Sequence, residues 1–73
     1  MKVPSLSYKR VVAALERAGF QQVRQKGSHS MEKRGGGERV VVIVPAHIPI
    51  KRSTLARIIK DAHLTLEEFL DLL

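Results

Sequence analysis

Seventy-three residues bound the chain to a single domain, 1–73, with one modest core, because small domains bury a lower share of their surface than large ones. There is no cysteine and no Cys/His cluster, which excludes a disulfide framework or a structural zinc site as a substitute for core. The net charge is +6, but residues 61–73 hold Asp61, Glu67, Glu68 and Asp71 and no Lys or Arg, so residues 1–60 carry 13 basic and 3 acidic groups, a net +10 that suits a polyanionic partner.

The opening MKVPSLSYKR has no apolar signal-peptide core, and the longest apolar run, Val40 to Val44, is far too short to cross a bilayer. A soluble, cytoplasmic protein without membrane contact is expected. From Ser7 to Gly19, SYKRVVAALERAG places Tyr8, Val11, Val12, Leu15 and Ala18 at helical spacing, with Ser7 as N-cap and Gly19 as the stop. Lys9, Arg10 and Arg17 fall on its solvent side.

Three short strands follow, QQVRQK, HSMEKR and ERVVVIV, joined at Gly27-Ser28 and at Gly35 to Gly37. Gly-Ser suits a type II′ hairpin loop with Gly first, and the three glycines suggest a looser second turn. A strict two-residue loop pairs Lys26 with His29 and Arg24 with Met31, which sends Val23 and Met31 to opposite faces. A bulge or longer loop reunites them, so the face carrying His29 stays open. The next helix spans Ser53 to Ala62 with Ser53 as N-cap and Leu55, Ile58, Ile59 and Ala62 on its stripe. Thr65 then opens TLEE, a capping box starting a short acidic third helix. The pattern predicts an α+β fold of order α-β-β-β-α, with an antiparallel three-stranded sheet, two helices on one face and a small C-terminal helix.

The basic region offers no converging carboxylates, since Glu16, Glu32 and Glu38 are scattered, so two-metal nuclease chemistry has no ligand set and no metal or cofactor is expected. Metal-independent phosphodiester cleavage needs only a proton-transferring group and cations, and a histidine with Lys and Arg suffices. His29 follows Gly27-Ser28 and has Arg24, Lys26 and Lys33 close in sequence; its plainer reading is a polar turn residue. His47, between two prolines and next to Lys51 and Arg52, is either a loop residue or a second polar group beside a phosphate at a helix N-terminus. His63 reads as a helix C-terminal group.

The order of Gly19-Phe20, QKGSH, a valine-rich strand, VPAH, STLARIIKDA and a following EEF resembles the HicA toxins, ribosome-independent mRNA interferases of toxin–antitoxin modules. The most specific element is Gly27-Ser28-His29, supported by Pro45-x-His47 and Thr54-Leu55. The resemblance implies a double-stranded-RNA-binding-domain-like α-β-β-β-α fold and carries the family's catalytic histidine onto His29. It also implies mRNA as substrate and a HicB-like antitoxin as partner. Two departures stand out: Ser53 and His63 occupy positions where the family usually has glycine.

Under this resemblance, His29 is the general acid or base in an attack of the 2′-OH on the adjacent phosphate. Arg24 and Lys26 stabilise charge, with Gly27, Ser28 and Lys33 alongside. Lys51, Arg52 and Arg57 hold the backbone, and His47 or water makes the second proton transfer. A non-catalytic RNA-binding module of the same fold is the alternative, as is a structural subunit with a protein partner. The uncharged valine-rich third strand lies at a sheet edge and calls for a cover: the acidic helix, a second copy of this chain in a homodimer, or the antitoxin.

Overall fold

The computed structural model describes residues 4–25 and 27–73, with the side chains of Arg24 and Gln25 outside the description. Helix α1 (Tyr8–Arg17) buries Val11, Val12, Ala14 and Leu15 and leaves Lys9, Arg10 and Arg17 exposed, the partition its periodicity requires. It ends as expected at Gly19, φ +97°, where Gly19 N–H donates to Glu16 (3.0 Å) and Phe20 N–H to Leu15 (3.0 Å). These paired bonds form a Schellman motif, which needs a left-handed residue at that point.

Strands β1 (Gln21–Gln25), β2 (Ser28–Gly35) and β3 (Glu38–Pro45) form an antiparallel sheet of order β1-β2-β3. The first turn lies one residue earlier than Gly27-Ser28: Gln25 pairs with Ser28, so Lys26 and Gly27 make the connection and Gly27 takes φ +80°. Gly27 thus serves as the second central residue, where it supplies the positive φ. Moving the turn by one residue slides the pairing by two, so Arg24 rather than Lys26 is the register partner of His29, and the alternation between faces is that of the strict two-residue loop, without a bulge. Val23, opposite Ser30, and Met31, opposite Gln22, do lie on opposite sides.

The second turn is tighter than three glycines suggest. Gly35 pairs with Glu38, leaving Gly36 and Gly37 with φ of +57° and +81°, the two positive values of a type I′ hairpin. Met31, Val42 and Val44 are buried under the helices, whereas Val23, Val41 and Ile43 are exposed on the opposite face. There Glu32 bonds Arg34 (2.6 Å) and Arg39 (3.1 Å), two arginines that face one another across β2 and β3. The two guanidinium groups hold the Glu32 carboxyl below its ordinary range, the Arg34 hydrogen bond most of all.

Helix α2 (Arg52–Asp61) buries Leu55, Ile58 and Ile59 and packs on β3. Its N-cap is Lys51, not Ser53, which sits one residue inside the first turn and makes no capping bond. The entry point is fixed from elsewhere: Ile50 bridges to Leu6, donating N–H to its carbonyl at 2.8 Å, so the chain turns into the helix directly after that anchor. Helix α3 (Leu66–Asp71) starts on the expected box, with Thr65 Oγ1 accepting from Glu68 N–H (3.1 Å) and Glu68 Oε1 accepting from Thr65 N–H (2.9 Å). Phe69 is buried and brings α3 into a core that holds no buried polar side chain among the described residues.

Candidate active site

His29 is the second residue of β2 and shares the helix-covered face with Met31, which answers the question of its facing. Met31 is sealed, but His29 lies where the helix layer begins and is half-buried. Tyr8, the first residue of α1, stacks on it with ring centroids 5.2 Å apart and planes 14° from parallel. Gln22 in β1 is one pair away in register on the same face, and its amide Nε2 is the partner of His29 Nδ1. No other described side chain bonds the ring.

The loop after β3 is strapped to the same place. Tyr8 N–H donates to the His47 carbonyl (3.2 Å), and His47 N–H to Pro45 (2.8 Å), so Tyr8 carries the imidazole on its ring and the loop on its amide. The His47 side chain is exposed. Because Ile50 pairs with Leu6, the start of α2 lies beside the start of α1, and Lys51 and Arg52 are exposed there.

Arg57 is exposed farther along α2, and Gly27 and Ser28 lead directly into His29. Lys33 is brought elsewhere. It lies four residues along β2, about 13 Å at the strand rise, with Nζ 5.9 Å from the centroid of the Phe20 ring. Arg24 is the register partner of His29 by its backbone, while its side chain and all of Lys26 fall outside the described residues.

Neither α1 nor α2 has an acidic residue in its first turn; Lys9 and Arg10 occupy that of α1, and Lys51 and Arg52 begin α2. Cations at the positive end of a helix oppose folding and suit an anion. Among the described residues no group of three His, Asp or Glu is arranged to hold a metal ion, and no helix is long and apolar enough to cross a membrane. Sequence reasoning missed Gln22 and placed Tyr8 only in the core stripe. The spacing of Gln22 and Arg24 on one strand face is the signal that, with the register known, points to His29.

The fold and this pole define a class: a small basic α+β domain that presents one half-buried imidazole among cationic helix starts. The chain belongs to the HicA toxin family, whose model, described as HicA toxin of bacterial toxin-antitoxin, matches residues 8–64. It is accordingly the toxin type of a toxin–antitoxin module. No curated protein matches the chain. The matched span runs from Tyr8, which stacks on His29, to Leu64 after α2, and leaves α3 beyond it.

Proposed function

We propose that this toxin is a metal-independent endoribonuclease that cleaves single-stranded mRNA in the cytoplasm with His29 as proton-transfer group. The observation that carries the reading is the His29 ring, held at Nδ1 and on one face, beside two helix starts bearing only basic charge. In the reaction, O2′ attacks the adjacent phosphorus and the P–O5′ bond breaks, leaving a 2′,3′-cyclic phosphate and a 5′-hydroxyl. His29 takes the 2′ proton, and His47 or a water delivers one to O5′. Arg24 and Lys26 stabilise the charge at phosphorus, and Lys51, Arg52 and Arg57 bind the flanking backbone. Gly27, without a side chain, lets the phosphate approach Ser28 and the strand. An acidic antitoxin surface that covers this pole silences the enzyme.

Incubation of labelled single-stranded RNA with purified protein in EDTA tests the reading. Wild type cuts the RNA and leaves the equivalent DNA intact, while folded His29→Ala binds RNA but does not cut it. Equal activity in the two proteins, or activity abolished by the chelator, overturns it. Binding without cleavage by both proteins identifies a non-catalytic RNA-binding module instead.

A further inference from the structure

An imidazole has two nitrogens, and among the described side chains only Nδ1 has a partner. Gln22 and His29 lie on adjacent strands, on one face, a single register step apart, a diagonal that long side chains span. The Gln22 amide meets Nδ1, and the Tyr8 ring lies across the imidazole plane. The two contacts constrain different motions: the stack fixes the plane of the ring, and the amide fixes its rotation within that plane. Nε2 lies on the far side of the ring from the amide, and no described side chain bonds it.

We propose that Gln22 is a positioning residue for His29, holding Nδ1 so that Nε2 is the nitrogen that exchanges the proton with RNA; this rests on the reading of His29 as the proton-transfer group. An amide carries an acceptor and a donor on one carbon and turns to present either. The structure shows the amide Nε2 against Nδ1; in the working orientation a half-turn of the amide puts Oε1 there instead to accept from Nδ1–H, which leaves a lone pair on Nε2 of the ring. The same bond persists after Nε2 takes the 2′ proton, so the ring cycles between neutral and cationic forms without losing its partner.

The choice of an uncharged acceptor matters. A carboxylate at this place would favour the cationic ring and slow return of the proton. Among the described residues, Tyr8 from α1 faces the ring, His47 lies in the strapped loop and β3 presents Val44, while Arg24 is the register partner in β1 by its backbone. The ion pairs of the described residues, Glu32 with Arg34 and Arg39, lie on the opposite face. A glutamate at position 22 would introduce a carboxylate at the imidazole itself.

Gln22 is exposed, so substitution there opens no core. The test compares wild type with Gln22→Met, which keeps length without hydrogen bonding, and Gln22→Glu, which only accepts. Cleavage of labelled RNA in EDTA is followed across pH, RNA affinity is measured separately, and ¹⁵N spectra report the protonation of each His29 nitrogen.

Gln22→Met should lower kcat roughly 10- to 100-fold with RNA affinity unchanged, the usual loss when a reacting group is displaced slightly. Gln22→Glu should move the acid limb of the pH profile upward by about one unit and fix the neutral ring with its proton on Nδ1. Wild-type kcat in Gln22→Met, or an unmoved pH profile in Gln22→Glu, overturns the proposal. Should wild type leave RNA intact while the ring spectrum responds to both substitutions, the clamp stands and the nuclease reading falls. A spectrum indifferent to both removes the clamp whatever the cleavage result.

Discussion

At His63 the backbone takes φ +60°, a left-handed conformation that costs a residue with a Cβ. Its place explains why: His63 N–H donates to Lys60 (3.0 Å) and Leu64 N–H to Ile59 (3.1 Å), the same Schellman pairing that Gly19 completes after α1. The side chain is exposed, so nothing in the core compensates. His63→Gly should therefore stabilise the fold by about 1 kcal/mol, read as a higher urea midpoint at unchanged slope. An unchanged or lower midpoint would mean that the imidazole makes up the backbone cost. Residue-level legibility was uneven in an instructive way. His29 stood out because it directly follows Gly27-Ser28 in a polar hairpin with basic residues close in sequence, and His63 because it sits where a helix must stop. Gln22 and Tyr8 did not, because their contacts with His29 exist only once strand register and helix docking are set, and neither is a local property of the chain.

Among the elements, α3 is specified most completely by its own residues. Thr65 and Glu68 satisfy each other's backbone donors, and the Thr65 backbone N–H, with its hydroxyl second, holds the Glu68 carboxyl below its ordinary 4.5. A carboxyl depressed by folding stabilises the fold fully above its unfolded value and progressively less as pH falls through the folded one. Thermal unfolding followed from neutral pH down through 4.5 should show stability declining, with a shallower decline in Glu68→Gln because the amide accepts the bond without titrating. At neutral pH, Thr65→Ala should cost about 1 kcal/mol, since Phe69 ties this helix to the core; identical acid profiles for wild type and Glu68→Gln would remove Glu68 from the account. Helix α1 could be read from its stripe and its glycine stop, although Ser7 at the N-cap position makes no side-chain capping bond, α3 could be read from its capping box, and the three strands from their patterns and turns. The start of α2 could not: a serine at position 53 has the right chemistry for a cap, but the Leu6–Ile50 bridge sets the entry earlier.

Taken whole, the molecule is polar along the helix axes. The starts of α1 and α2 meet beside His29, with the strapped His47 loop and the first hairpin turn at the same end. Their ends lie at the opposite pole, where Gly19 abuts Lys33 and His63 lines a groove with Glu38, Val40 and Val41. The acidic α3 belongs to that second pole, since it packs on α2 and Arg17 Nη1 at the end of α1 donates to the Leu72 carbonyl at 2.6 Å. Helix dipoles and side-chain charges thus add at the His29 pole instead of cancelling, an arrangement that costs stability and favours a bound polyanion. Binding of His29→Ala to a short single-stranded RNA, measured across salt concentrations, tests this polarity without cleavage. Each alanine at Lys9, Arg10, Lys51 or Arg52 should reduce the slope of log K against log salt by about 0.7, the release expected per single-strand phosphate. Alanine at Arg34, Arg39 or Lys60 should leave that slope unchanged, because these cations lie on the far face or at the far end. Lys51→Ser adds a second readout, raising unfolding stability by about 1 kcal/mol through a new cap while weakening RNA binding. If the far cations moved the salt slope as much as the near ones, the RNA path would run over the open face of the sheet and away from His29.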